Sequence, residues 1–323
     1  MALSPRLRAA LDGQLEGVSR NDLAVRATAI SDSYRAGAGS QSIIRDRADA
    51  LAYAVVRMPA TYAALAEALA QVAAHGPDLR PTTLLDLGAG PGTATFAALE
   101  AWPTIAAVVE VETNAAFRAL AKTLREIGLP GIAVETRASD AASVAFETVD
   151  ADVVIASYLS IELGEAAAER LVARAFESCR DVLVLVEPGT PAGFARLRAA
   201  RIQLVAAGAK IIAPCPGEMP CPMTGTDWCH FSVRLARSRD HKLVKVADVP
   251  FEDERFCYLA VTRRQPIRPA TARVLAEPAI ERGGVALKLC TTEGLQTPFV
   301  ARRDKAAFKH ARKLGWGEAT AHD

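Results

Sequence analysis

The spacing of apolar positions changes character near residue 81. Before that point apolar residues recur at helical intervals. Segments 4–15 and 21–34 predict helices with a polar face, and 48–72 predicts a helix rich in Ala and Leu, with Pro59 as a break or a first-turn proline. Residues 35–40, Arg-Ala-Gly-Ala-Gly-Ser, read as a flexible joint. After residue 81 short apolar runs alternate with helical segments, as in a doubly wound α/β sheet. Strands are predicted at 83–87, 106–111, 132–136, 151–157 and 182–187, with a further helix over 195–207. The period then stops and a proline-rich stretch begins. Past residue 266 short strands are expected within 272–280, 285–290 and 297–302. The chain divides into an N-terminal helical region (1–80), an α/β domain (81–265, including a Cys-rich loop at 211–231) and a small C-terminal β-rich basic module (266–323). The helical region is expected to pack on the sheet or to cover the domain's ligand site.

The segment Thr83-Leu84-Leu85-Asp86-Leu87-Gly88-Ala89-Gly90-Pro91-Gly92-Thr93 reads as a buried strand, a glycine turn and the start of a helix. Leu84, Leu85 and Leu87 suit a central parallel strand. The three glycines permit a tight turn and close approach of a ligand, which the free N–H groups of the next helix then face. This is the first unit of a Rossmann-like nucleotide site. The alternatives are a dinucleotide site or a bare structural turn, but Thr93 occupies the third glycine position of the dinucleotide fingerprint. With Asp86 two residues ahead of Gly88, the pattern resembles motif I of the class I S-adenosylmethionine (SAM) methyltransferases. That resemblance implies that Asp86 holds the methionine end of SAM, directly or through water, and that Gly88, Ala89, Gly90, Gly92 and Thr93 form the turn around it. An acid closing the second strand would bind the ribose hydroxyls. Glu112 fits best and Glu110 is the alternate. Asp140 lies where an acid or amide accepts from the adenine amino group, and it reads equally as a helix N-cap. Ser157 and Tyr158 follow the fourth strand, where catalytic or substrate-facing groups are commonly kept. No Asn-Pro-Pro-Tyr motif and no catalytic cysteine pair of the RNA-cytosine type is present. The sequence thus specifies a cofactor better than a reaction.

The chain has 323 residues, half of them hydrophobic, enough for a full core in one or two domains. The net charge of +1 gives no global field for nucleic acid, so any such signal is local. No apolar run is long enough to span a bilayer, and residues 1–12 lack a signal-peptide h-region, so a cytoplasmic protein without membrane contact is expected. Six cysteines in such a chain read as free, catalytic or metal-bound rather than paired.

Cys215, Cys221 and Cys229 lie in a stretch with four prolines and two glycines, spaced C-x5-C-x7-C. No regular helix or strand fits such a segment, and metal coordination supplies the free energy that its small core cannot. Zinc favours close C-x2–4-C pairs. Wider spacing with four thiolates suits an iron–sulfur cluster. The fourth ligand would be Cys179, Cys257 or Cys290, with His230 a further candidate for zinc. Cys179 reads as a small core residue in the helix before strand five, and Cys257 as part of an alternating strand. Cys290 stands at a strand-to-turn position suited to a ligand. Farther on, Arg302, Arg303, Lys305, Lys309, Arg312 and Lys313 surround Phe308, His310 and Trp316 against the single Asp304. Such a cluster can contact phosphates, with Trp316 stacking on a base or docked on the core.

Together, several pieces resemble a methyltransferase-like family associated with the small ribosomal subunit. They are Leu-Asp-Leu-Gly-Ala-Gly-Pro-Gly-Thr (85–93), Val-Glu-Pro-Gly-Thr-Pro-Ala-Gly-Phe (186–194), Ala-Pro-Cys-Pro (213–216), Cys-Pro (221–222), Trp-Cys-His-Phe (228–231), Arg-Phe-Cys-Tyr-Leu (255–259) and Ala-Arg-Lys-Leu-Gly-Trp-Gly (311–317). The resemblance covers about residues 50–317. It implies the class I SAM-dependent methyltransferase fold and a [4Fe–4S] cluster on Cys215, Cys221, Cys229 and, as the fourth, Cys290. Cys257 stands where the family often has serine. It also implies action on the small subunit and its 16S-type rRNA, with RNA contact expected through 302–316. Relatives that lack demonstrated methyl transfer leave a non-catalytic assembly factor as the alternative. A SAM-dependent methyltransferase of another substrate with a zinc site is a further one.

Overall fold

The computed structural model describes residues 2–35, 39–76, 78–144, 146–265 and 270–320. Most of the expected glycine joint, residues 36–38, lies outside them.

The helical region contains α1 (Pro5–Gln14), α2 (Arg20–Arg35), α3 (Ser40–Ile43), α4 (Arg47–Val56) and α5 (Met58–His75). Ser4 caps α1, its Oγ accepting from the Leu7 N–H at 3.2 Å, and Asp46 caps α4 through the Asp49 N–H at 2.8 Å. The expected break falls at Arg57, and Pro59 sits in the first turn of α5, where its missing N–H costs nothing. One face of α5 is wholly buried, including Leu65, Leu69 and Val72. Truncating Leu65 to Ala would cost about 2–5 kcal/mol.

The α/β domain runs β1 (Thr83–Leu87), α6 (Thr93–Ala101), β2 (Ala107–Val111), α7 (Ala115–Gly128), β3 (Ala133–Arg137), β4 (Ala151–Ser157), a 3-10 turn (Ser160–Glu162), α8 (Glu165–Ser178), β5 (Cys179–Pro188), α9 (Pro191–Ala206), β6 (Lys210–Ala213), β7 (Phe231–Ala236), α10 (Arg239–Lys245) and β8 (Phe251–Thr262). Two expectations change. Cys179 begins β5 instead of ending a helix, and α9 starts at Pro191, capped by the Thr190 hydroxyl on the Gly193 N–H. The prolines and glycines at 188–193 thus make a helix start, since proline is tolerated in a first turn.

The strands form one sheet in the order β3-β2-β1-β4-β5-β8-β6, with β7 also on β8. Strands β3 to β5 are parallel, whereas β8 runs antiparallel to β5, β6 and β7. This is a doubly wound Rossmann-like fold, with the strand order reversing between β1 and β4. Alternation divides the core: Leu84, Val108 and Ile155 face α1, α4–α7, while Leu85, Leu87 and Val154 face α8 and α9. The helical region is therefore a packing layer on one face of the sheet.

The C-terminal part is two small antiparallel sheets. One holds β10 (Ala279–Ile280), β11 (Gly284–Ala286) and β14 (Phe299–Ala301). The other joins β9 (Ala272–Val274), β12 (Leu289–Thr291), β13 (Gly294–Gln296) and β15 (Ala319–Thr320). The expected runs 272–280 and 285–290 each split between the two sheets. Helix α11 (Lys305–Ala311) closes a minor core of Val285, Leu287 and Ala311.

Candidate functional site

A cleft of about 360 Å³ opens at the C-terminal ends of β1, β2 and β4, where the strand order reverses. Gly88, Gly90, Glu112, Asp140 and Ser157 border it. Gly88 and Gly92 need their positive φ values of 70° and 86°. A Cβ on Gly88 would meet the Leu159 side chain at 2.9 Å. A Cβ on Gly90 would meet nothing within 4 Å, so its backbone edge is open toward the cleft. Ala89, Gly92 and Thr93 shape the turn from beneath and do not border the cavity.

Glu112 is 7% exposed. Its Oε2 accepts from the Gly90 N–H at 2.8 Å and its Oε1 from the Asn114 N–H at 2.7 Å. Burial raises its pKa, and these two N–H groups pull it back. Glu110, the alternate, points into the protein. It pairs with Arg125 and lies 3.0 Å from the Thr95 hydroxyl. Asp86 does not border the cleft, contrary to expectation. It is fully buried, and its Oδ2 accepts from the N–H (3.1 Å) and hydroxyl (3.0 Å) of Thr95 in α6. Burial, then the charge of Glu110, pushes its pKa up to about 8. The physical reason is alternation: Asp86 and Leu84 point toward α6, leaving the turn after β1 to approach a ligand by backbone. No helix begins at Asp140. Its Oδ1 instead accepts from the Ala142 N–H at 2.8 Å in a turn.

The other walls were foreseen only in part: a cover from the helical region and Tyr158 after the fourth strand were expected, whereas the individual side chains of the rim were not. Tyr34, Gln41 and Tyr53 come from the helical region, so that region contributes a rim to the cleft as well as packing. Tyr158 holds a strained φ of 56° directly after β4. Its hydroxyl donates to Glu254 Oε1 at 2.9 Å, and Arg57 donates to the same oxygen at 3.3 Å. Ser160 donates from N–H (3.0 Å) and hydroxyl (2.7 Å) to Glu187 Oε1. Burial raises Glu187 to about 7.

A second, narrow chamber of about 50 Å³ lies between α9, the irregular loop after β6, β8 and the C-terminal sheet. Five of the six cysteines border it: Cys215, Cys221, Cys229, Cys257 and Cys290. Cys179 does not. Burial raises Cys215, and the Arg201 and Arg273 guanidiniums oppose that rise. Burial also raises Cys229, with the Cys215, Cys257, Cys290 and Cys221 thiols adding to it, and pushes Cys290 up to about 12. Cys257 donates its thiol proton to the Cys229 carbonyl at 3.1 Å. His230 lies outside the chamber. Its ring stacks on Trp228, 4.9 Å between centroids, with Trp316 edge-on at 4.9 Å. Trp316 is docked on the core, its indole N–H donating to the His230 carbonyl at 2.9 Å, so the base-stacking alternative gives way to the docked one. Among the described residues, no group of three or more His, Cys, Asp or Glu is disposed to hold a metal ion.

Three arginines that carry no expectation from the sequence also line the chamber: Arg198, exposed at its edge, and the buried Arg201 and Arg273. Arg201 donates to the carbonyls of Gly217 (3.0 Å) and Met219, while its buried Nε has no partner. Arg273 donates to Pro214 O (2.9 Å), Gly317 O (2.8 Å) and Gln71 Oε1 (2.5 Å), with His75 Nε2 at 3.3 Å. Their signal was present: Arg201 falls on the stripe Leu197, Ala200, Leu204, and Arg273 lies between Ala272 and Val274 in a buried strand.

The six basic residues Arg302, Arg303, Lys305, Lys309, Arg312 and Lys313 are all exposed, and none forms an ion pair among the described residues. Arg302 lies over the Phe308 ring, 5.5 Å from its centroid.

The human ribosome assembly protein METTL17, mitochondrial, is 28% identical over 291 residues, covering 83% of this chain. The chain spans 61% of that relative's length. Among solved structures, magnesium protoporphyrin IX methyltransferase of Synechocystis PCC 6803, with bound SAH, is 15% identical (TM-score 0.41, covering 64% of this chain and 84% of that one). Precorrin-6y C5,15-methyltransferase of Geobacter metallireducens GS-15 is 14% identical (TM-score 0.41, covering 61% and 85%). A family profile described as mitochondrial small ribosomal subunit Rsm22 matches residues 47–321. That description and the human relative's name are both mitochondrial, which overturns the expected cytoplasmic location. No helix among the described residues is long and apolar enough to cross a membrane. With most of its length matched, the chain belongs to the Rsm22 family.

Proposed function

We propose that this protein binds SAM in the cleft and a [4Fe–4S] cluster in the cysteine chamber, and acts on the rRNA of the small ribosomal subunit during its assembly. The carrying observation is the convergence of five cysteines, distant in sequence, on one chamber. The donor set fits the cluster. Cys215, Cys221, Cys229 and Cys290 are the proposed ligands, and Cys257 is held aside by its hydrogen bond to the Cys229 carbonyl. A single zinc ion needs all its sulfurs within about 2.3 Å of one point. A cluster offers a separate iron to each thiolate. Thiols that border one chamber from separate stretches of the chain suit the second arrangement. When bound, the cluster would supply a rigid crosslink between the loop and the C-terminal module.

In the cleft, Glu112 is the proposed acceptor for the ribose hydroxyls, Asp140 for the adenine amino group, and the open Gly88–Gly90 backbone borders the methionine moiety, with Ser157 beside it. The divisions 1–80, 81–265 and 266–323 serve as rim, cofactor domain and RNA-facing module. The human relative is a ribosome assembly protein, and the exposed basic cluster at 302–313 is the proposed phosphate-contacting surface.

A non-catalytic assembly role is favoured over methyl transfer by one observation. The polar groups after β4 are turned to structural partners, Tyr158 to Glu254 and Ser160 to Glu187. The test is iron and sulfide analysis with an absorption spectrum on anaerobically purified protein, followed by SAM-binding calorimetry. About four irons and four sulfides per chain are expected for the cluster. Stoichiometric zinc without sulfide refutes it. Subunit assembly that survives in a Glu112→Ala variant unable to bind SAM selects the non-catalytic role.

A further inference from the structure

The chamber holds two buried cations with no anion to balance them. Arg273 is 1% exposed and Arg201 is 7% exposed. Among the described residues neither pairs with a carboxylate, and no Asp or Glu lines the chamber. Their partners are backbone carbonyls, an amide and an imidazole. A guanidinium stays charged throughout the ordinary pH range, and a buried charge without a counter-charge is strongly unfavourable. The chamber therefore calls for an anionic content of matching size. Neutral thiols do not supply it.

We infer that Arg201 and Arg273 are the charge counterweight of the chamber, built for a dianionic tetrathiolate cluster, and that the charge of Arg201 tunes its reduction. The inference rests on the cluster reading above. Four thiolates around a core of charge 2+ leave a net charge of 2−, which two guanidiniums neutralise. Arg201 approaches from α9 on the Cys215 side, with Nε as a buried donor that no protein atom satisfies. Arg273 approaches from β9, whose register sets it opposite Cys290 on β12, while its own Nε holds the carbonyl that precedes Cys215. The two cations thus flank the proposed ligands from two elements. Net charge and hydrogen bonds to sulfur are what set a cluster's potential. Both are positioning residues.

The experiment compares the full-length wild-type protein with Arg201→Gln and Arg201→Lys, purified anaerobically. It reads iron and sulfide content, the reduction midpoint from a dithionite titration with redox mediators, and iron release to a chelator. In Arg201→Gln the reduced fraction at a fixed potential is expected to fall about tenfold, a midpoint about 59 mV more negative for one electron. Iron release is expected to accelerate. Arg201→Lys keeps the charge and is expected to hold the midpoint near the wild-type value. A purely structural role, holding the Gly217 and Met219 carbonyls, predicts equal loss of cluster in both variants and an unchanged midpoint in what remains. That result overturns the inference. If Arg201→Gln loads no cluster, Arg201→Lys decides: loading with a wild-type midpoint supports the inference, and failure to load overturns it. If the wild-type protein itself lacks iron and sulfide, the cluster reading falls first and this inference falls with it.

Discussion

The cleft and the chamber are built on opposite principles. The cleft takes its floor from consecutive strand–turn–helix units, and its geometry is fixed by backbone hydrogen bonds and three glycines of positive φ. The chamber gathers side chains from α9, an irregular loop, β8, β9 and β12, and holds two unbalanced cations. A site of the first kind is preformed without its ligand. A site of the second kind depends on its content, because the loop has little apolar core of its own. The largest expected effect follows. Cys221→Ser should abolish the iron–sulfur chromophore while leaving SAM affinity within about twofold, since the cleft shares no residue with the chamber. Metal analysis and calorimetry on one preparation check both halves. Loss of SAM binding together with the cluster would break the contrast.

Within the cleft two neighbouring acids sharpen it further. Glu110→Gln leaves Arg125 buried beside a neutral partner, and breaking such a pair costs about 3–5 kcal/mol. Denaturant unfolding should show that loss. Glu112→Ala removes a carboxylate that holds two backbone N–H groups at the cleft mouth. Hydrogen bonds to charged groups contribute about 1.5–3 kcal/mol, so SAM affinity should fall at least about tenfold. The acid two residues earlier is buried against Arg125, and the later one borders the cleft.

Asp86 gives a smaller effect with a definite sign. Its folded pKa of about 8 stands above the ordinary 3.8. Between those values the folded state binds a proton that the unfolded state does not, so this group makes stability fall as pH rises from about 4 to about 8. Asp86→Asn keeps an oxygen for Thr95 and removes the charge. The variant should gain on the wild type steadily across that window, by at most about 1.4 kcal/mol per pH unit. Chemical denaturation at several pH values measures the gap. A gap independent of pH would show that Asp86 is ionised when folded.

How much was legible follows from the same contrast. The strands β1 and β4, the glycine turn and Glu112 at the cleft are contiguous signals, and the sequence predicts them residue by residue. Asp86 reads as a ligand-facing acid because the motif fixes its position but not its direction. The side-chain alternation of β1 turns it toward Thr95. The chamber was half legible. Cysteine spacing marked the loop, but nothing local joins Arg201 and Arg273, 72 positions apart, to the same cavity. The strands within 272–280 and 285–290 differ from expectation because each of these two apolar runs crosses from one small sheet to the other.

The smallest effects belong to the basic surface, where each side chain is solvated and acts independently. Lys309 and Arg312 are exposed on and just after α11, with no ion pair among the described residues. Lys309→Ala or Arg312→Ala should weaken binding to small-subunit rRNA only severalfold. The slope of log affinity against log salt should drop by about 0.7–0.9 for each phosphate that is no longer neutralised. The double variant should show twice that drop, since the two act on different phosphates. Trp316→Ala is the control that separates surface from scaffold. Its indole is tied to the His230 carbonyl beside the chamber, so it should lower thermal stability and leave the salt slope unchanged. A salt slope unaffected by either basic substitution would move the RNA-binding surface away from 302–313, and with it the division of labour between cofactor domain and C-terminal module.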